Sequence, residues 1–260
     1  MFVLLGLAAT AVLGISGCSS DGDVRPAAEP DKLYELAAKD MRSNNFKGAI
    51  QKLESLESYY PFTNAAKQGQ LDLMYAYYRN GEAEPAIDQA DMFIRENPTH
   101  PRVDYAYYIR GLVYFESGAG WLEEKVHADV TKRPPHESRK ALQSFQILLQ
   151  QYPKSPYAAD TRQRAIFLRN KLADYELAVA RYYMKRQAYV AAVNRARAVI
   201  ESYDGSPAAI EALGIMAEGY RKLEIPELAA VAESVRVANA PATDPNEGLV
   251  KDQPWWKFWN

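Results

Sequence analysis

The sequence predicts an all-α fold, a right-handed superhelical solenoid of five helical hairpins, and three observations carry that expectation. First, a small residue is followed twelve positions later by a proline or turn residue five times: Ala49/Pro61, Ala86/Pro98, Ala141/Pro153, Ala192/Asp204 and Ala229/Pro241. Second, apolar or small residues recur four and seven positions after the first four markers: Leu53 and Leu56, Ala90 and Phe93, Phe145 and Leu148, Ala196 and Val199. Those offsets fall on one face of a helix. The proline then ends the helix, because its ring cannot continue the hydrogen-bond ladder and it disfavours helical backbone in the residue before it. Third, another apolar helix lies upstream of the markers, visible as Leu71, Met74, Tyr75 and Tyr78 in unit two and Leu213, Met216, Ala217 and Tyr220 in unit five.

From the N-terminus, residues 2–16 carry no charge and are rich in Leu, Ala, Val and Ile, which is a secretory leader too short for a permanent membrane span. No Lys or Arg precedes that run, a departure from the usual basic start. Ile15-Ser16-Gly17-Cys18 resembles the bacterial lipobox, so residues 1–17 are expected to be removed and Cys18 acylated. Cys18 is the only cysteine, which excludes an internal disulfide. Three acyl chains would hold a membrane firmly, and Ser19 resembles the outer-membrane sorting pattern. Residues 18–30 then form a lipidated, flexible tether. The repeat array is expected over 31–240. Helical hairpins repeating about every 34 residues are the tetratricopeptide signature. Here the markers are spaced by 37, 55, 51 and 37 residues, so two intervals hold extra chain. The first is an insertion at about 116–137, with Gly118, Gly120, Pro134 and Pro135 around a short helix at 121–130. The second, about 156–187, has no glycine or proline after Pro156 and reads as one long helix. In unit five the positions four and seven after Ala229 are Glu233 and Arg236, a polar face suited to the end of a solenoid. Residues 241–260 form a tail read as a disordered extension, in which Trp255, Trp256 and Trp259 suit membrane-interface or partner contact.

Charge and motif content narrow the function. With 31 basic and 33 acidic residues the net charge is −2, which gives no electrostatic reason to expect nucleic acid. Eighteen tyrosines occur partly as pairs: Tyr59-Tyr60, Tyr77-Tyr78, Tyr107-Tyr108 and Tyr182-Tyr183. Neighbours on a helix point about 100° apart, so one of each pair packs between helices while the other reaches the concave surface. His100, His127 and His136 lack metal spacing, there is no phosphate loop or Gly-x-Ser-x-Gly elbow, and the carboxylate clusters read as solvated faces. No catalytic residue, metal or cofactor is predicted.

Several runs then point to a specific family. Tyr60-Pro61-Phe62, the stretch Gln70 to Tyr78, and Phe93 to Pro101 resemble the BamD family of outer-membrane β-barrel assembly lipoproteins. Asp104-Tyr105, Tyr108 to Leu112 and Arg133-Pro134-Pro135-His136 do so as well, and the similarity runs from Cys18 to about Ala240. The resemblance implies a non-enzymatic subunit, anchored in the outer membrane by its acyl chains and facing the periplasm. Implied partners are the barrel-forming subunit BamA, the other assembly lipoproteins and unfolded outer-membrane barrel proteins. The amino-terminal repeats would receive the carboxy-terminal strand of a substrate, while the carboxy-terminal repeats dock on BamA. A strand ending in an aromatic residue offers an apolar ring and a free carboxylate, which suits an aromatic pocket with an arginine nearby. Phe62, Tyr75, Tyr78, Tyr105, Tyr108 and Arg110 are the candidates. Tyr75 and Tyr108 as buried packing, and Arg110 paired with a helix carboxylate, are the competing readings. Asn194-Arg195 resembles the family's interface segment, which makes Arg195 a candidate ion-pair donor to BamA or else an exposed arginine on a solvated face. The rival function is an envelope scaffold lipoprotein linked to peptidoglycan or cell division.

Overall fold

The computed structural model describes residues 28–119 and 135–239, and among them every regular element is a helix. In chain order they are α1 (Pro30–Arg42), α2 (Phe46–Tyr59), α3 (Asn64–Asn80), α4 (Ala83–Glu96), α5 (Val103–Ala119), α6 (His136–Gln151), α7 (Ala158–Lys185), α8 (Tyr189–Ser202), α9 (Ala208–Lys222) and α10 (Pro226–Ala238). They pair as five hairpins, α1/α2 through α9/α10. The 28-residue α7 is twice the length of its partner α8. α5 continues to Ala119, so residues 116–119 are helix rather than insertion. α6 likewise takes in residues 136–137, while residues 120–134 of that insertion with its expected short helix, the leader with Cys18, the tether up to residue 27 and the tail from residue 240 lie outside the described residues.

Two turn types recur, and both explain why the repeat closes. Each of α2, α4, α6 and α8 ends on a residue with nearly the same backbone: Tyr60, Asn97, Tyr152 and Tyr203 have φ between −127° and −133°. Each cap donates its N–H to the carbonyl four residues back, and its own carbonyl accepts from Thr63, His100, Ser155 and Ser206 respectively. That three-residue closure is a β-turn with proline at its second position. Tyr203 closes the same turn before Asp204, so proline presets the turn but is not what ends the helix, a correction to the reading from sequence. Within hairpins one, two, four and five the chain reverses through a left-handed residue: Asn44, Gly81, Gln187 and Glu224, with φ of 58° to 80°. The residue after each donates back to Asp40, Tyr77, Tyr183 and Tyr220, the six-residue closure of a Schellman motif.

The marker alanines are the tight contacts of the array. Ala49, Ala86, Ala141 and Ala192 are fully buried, as are Ala90, Phe145, Leu148, Ala196 and Val199 beneath them. The main core runs without interruption from Leu71 on α3 to Ala212 on α9. First helices approach one another closely from unit to unit, α1 with α3, α3 with α5 and α7 with α9, whereas the second helices α2 and α4 meet through a side-chain bond from Gln89 to Glu57 at 3.1 Å. The first helices therefore line the inner face of the array. α5 and α7 are the exception, since large rings rather than close backbone bridge them. No described helix is long and apolar enough to cross a membrane.

Candidate functional site

An aromatic ridge crosses the inner face from α2 to α7. Phe46 meets Tyr75 edge-on at 6.1 Å, and Tyr75 lies 6.4 Å from Tyr78 one turn further along α3. On α5, Tyr105 and Tyr108 are three residues apart and share a face. Both pack on Tyr157 at the start of α7, Tyr108 stacked at 4.6 Å and 16° and Tyr105 tilted at 5.5 Å. Offset-stacked and edge-on rings leave their remaining faces and edges open to a further aromatic group. Two of the hydroxyls are fixed by carboxylates. Tyr78 donates to Glu116, and Tyr108 donates to Asp160 at 2.9 Å, which also accepts from Arg164 at 2.6 Å. Burial first, then Asp160, pushes the Tyr108 phenol up to about 12, and burial also raises Tyr78 and Tyr105. These phenols stay neutral donors at any physiological pH.

Two arginines touch the ridge without pairing to a carboxylate among the described residues. Arg102 donates to the Tyr157 hydroxyl at 3.1 Å and lies 5.3 Å over the Tyr105 ring. Arg79 donates to the Tyr75 hydroxyl at 2.6 Å and covers Phe46 at 4.9 Å. Both residues are exposed. A guanidinium held flat on a ring keeps its fork in one orientation and presents it to a carboxylate.

The structure thus gathers four of the six residues expected at this site: Tyr75, Tyr78, Tyr105 and Tyr108. Arg110 does not join them. Two residues past Tyr108, it points away from the ridge, forms an ion pair with Asp91 of α4, and donates its Nε to Ser144 of α6 at 3.1 Å. It thereby takes the helix-carboxylate alternative. Phe62 also stands apart, 93% exposed on the turn between α2 and α3. Arg195 donates to Glu176 of α7 at 2.9 Å, and Arg139 of α6 donates to the same carboxylate at 2.7 Å. The side chain of Glu176 is only 5% exposed, so the two arginines compensate a buried charge, and removing both would leave it unpaired. Arg195 is neither free nor merely solvated, because half of its side chain is exposed while one nitrogen is held.

Sequence reading missed Tyr157, Arg102 and Arg79. A signal existed for the first two: Pro101-Arg102 and Pro156-Tyr157 stand three and four positions after a marker proline, as Pro207-Ala208 does after the turn residue Asp204. The spacing of the second proline would have placed both at the mouth of a first helix. Arg79 needed the cross-helix packing of Phe46 and Tyr75, which no local pattern shows.

One half-buried carboxylate sits beside the ridge. Asp72 of α3 accepts from the Tyr34 hydroxyl at 2.6 Å, and burial lifts its carboxyl above the usual range despite that bond, Gln68 and the Arg102 charge. A raised folded-state value means the fold binds this proton more readily than the unfolded chain. The group therefore opposes folding at neutral pH, and the opposition fades as pH falls through its folded value. Asp72→Asn, which keeps an acceptor for Tyr34, is expected to melt higher than the parent at pH 7. Melts at successively lower pH should show the two converging; an advantage independent of pH would contradict the assignment.

The chain can now be set beside known proteins. A family model, YfiO, described as outer membrane lipoprotein, matches residues 26–235. The outer membrane protein assembly factor BamD of Neisseria gonorrhoeae is 38% identical over 260 residues, covering 99% of this chain and 97% of its own length. Its namesake in Neisseria meningitidis serogroup B is 39% identical over 256 residues, covering 95% and 96%. The Vibrio cholerae protein of the same name is 40% identical over 220 residues, covering 85% and 90%. With the family model spanning α1 to α10 and relatives matching nearly end to end, the chain belongs to the YfiO/BamD family of outer-membrane lipoproteins.

Proposed function

We propose that this chain is a non-catalytic, lipid-anchored subunit of the outer-membrane β-barrel assembly machinery, facing the periplasm. Its inner aromatic ridge receives the carboxy-terminal segment of unfolded barrel proteins. Its later repeats bind BamA, with the other assembly lipoproteins as further partners. The observation that carries the substrate reading is the ridge of tyrosines flanked by Arg79 and Arg102, cations with no carboxylate partner among the described residues. A strand ending in an aromatic residue supplies the ring and the charge that such a surface lacks. The names of the relatives, outer membrane protein assembly factors, support the wider role. In this reading Arg102 replaces Arg110 as the carboxylate-binding group.

The test is a mild-detergent purification of the acylated protein from envelopes, with Cys18→Ala as control and partners identified by mass spectrometry. BamA recovered in near-stoichiometric amount is the expected result. Peptidoglycan or division factors recovered without BamA would instead establish the scaffold function. Arg195→Ala is expected to lower BamA recovery about tenfold, roughly 1.4 kcal/mol. Arg139 still pairs with Glu176 in that variant, so its melting temperature should fall only slightly; a collapse in stability would make the loss of partner a folding effect.

A further inference from the structure

The outer face of α10 departs from that of every other second helix. Two positions after the marker alanine stand Gln51, Asp88, Gln143 and Asn194 in units one to four, each exposed and polar. In unit five that position is Val231, 59% exposed. The position before the marker changes from Gly48, Pro85, Lys140 and Ala191 to Leu228, and the sixth position after it, partly buried as Ser55, Met92, Ile147 and Ala198 in units one to four, is an exposed Val235 in unit five. Offsets of three and four residues place Leu228, Val231 and Val235 in one strip along the helix. Glu224 and Glu227 border its N-terminal end, exposed and without an ion-pair partner among the described residues. The face that receives the next hairpin in other units is polar here, where Glu233 and Arg236 pair with each other at 2.6 Å. The strip lies beside that polar face as an exposed apolar surface.

We propose that this strip is the seat of the chain's own aromatic run, Trp255, Trp256, Phe258 and Trp259, folded back onto α10. Fifteen residues, 240–254, separate the run from the described end of α10. At about 1.5 Å per helical residue, Val231 lies roughly 12 Å back from Asn239. The intervening chain reaches about 50 Å when extended. Pro241 and Pro245 lack the N–H that a continued helix would need. A tether of this length gives an effective concentration near the millimolar range, which favours an internal occupant over a dilute external one. Charge agrees with the placement: Lys257 is the one charged side chain within the aromatic run, and the strip is edged by the unpaired Glu224 and Glu227.

The test is disulfide trapping in the full chain, in membranes, with both aromatic run and strip intact. Ser234→Cys stands on the exposed flank of the strip and Gln253→Cys just before the tryptophans. The control pair is Asn194→Cys with Gln253→Cys, on the outer face of unit four. Non-reduced protein is resolved by mass, and linked peptides are identified by mass spectrometry. At least tenfold more internal link is expected for the Ser234 pair than for the control. Adding Val231→Gln and Val235→Ser, the residue types of unit one at those positions, should reduce it to control level while helix content by circular dichroism is unchanged. Equal yields for both pairs, no link at all, a link only between two chains, or a link indifferent to Val231→Gln/Val235→Ser would each overturn the proposal.

Discussion

Gly111→Val is expected to lower the melting temperature by roughly 6–12 °C, the largest stability loss predicted here for a single added side chain. Gly111 lies mid-way along α5, where that helix crosses α6. A Cβ there would stand 2.6 Å from Phe145 Cδ1 and 3.0 Å from Cζ, well inside contact distance. Phe145 is fully buried and anchors the central stretch of core, so its ring has no open space to swing into. Overpacking of this kind costs about 3 kcal/mol, and β-branching adds methyls in the same direction. The helix-propensity gain of leaving glycine, about 1 kcal/mol at most, does not offset it. Gly214 on α9 is the contrasting case, since the nearest atom to an added Cβ is Arg236 Cδ at 3.6 Å. Gly214→Ala should therefore be neutral or stabilise slightly. Thermal melts of both variants followed by circular dichroism separate a steric cost from a general intolerance of substitution.

Arg102→Gln is expected to weaken binding of a peptide that ends in an aromatic residue by roughly 10- to 100-fold, from the loss of a charge-assisted hydrogen bond of about 1.5–3 kcal/mol. The fold should be little affected, because Arg102 is exposed and its partners are a tyrosine hydroxyl and a ring face rather than a buried charge. Arg110→Gln makes the opposite case. That side chain is 17% exposed, paired with Asp91 and bonded to Ser144, so its loss should lower stability while leaving peptide affinity unchanged in the folded fraction. Comparing the two arginines by melting temperature and by peptide titration tells a binding cation from a structural one.

What was legible in the sequence follows from which forces are local. The marker alanines and the residues four and seven beyond them are buried because helix–helix approach demands small or apolar groups at fixed periods, and period is visible in one dimension. Two of the four tyrosine pairs divide in the anticipated way, whereas Tyr182 and Tyr183 pack edge-on against each other at 5.7 Å. Tyr77 reaches Glu54 of α2 while Tyr78 joins the ridge, and Tyr107 packs toward Tyr152 while Tyr108 stacks on Tyr157. Turn geometry was only half legible. Gly81 announces its left-handed backbone, but Asn44, Gln187 and Glu224 adopt the same conformation because the Schellman closure imposes it. The choice of arginine failed for a different reason. Arg110 and Arg102 are both near Tyr108 in sequence, and only the identity of the helix packed on each side of α5 decides that Arg110 meets a carboxylate of the fold, Asp91, and Arg102 a tyrosine hydroxyl.

The most direct measurement is a titration of the full mature chain with two peptides, alike except that one ends in an aromatic residue with a free carboxylate and the other in its amide. Each is bound by the parent and by Arg102→Gln, which closes a double-mutant cycle on the proposed contact. The parent should prefer the free acid by roughly 10-fold or more, and Arg102→Gln should bind both forms equally at the level of the parent with the amide. Equal binding of acid and amide by the parent, or a preference that survives Arg102→Gln, would contradict the assignment of this ridge as the site that reads the end of a barrel strand.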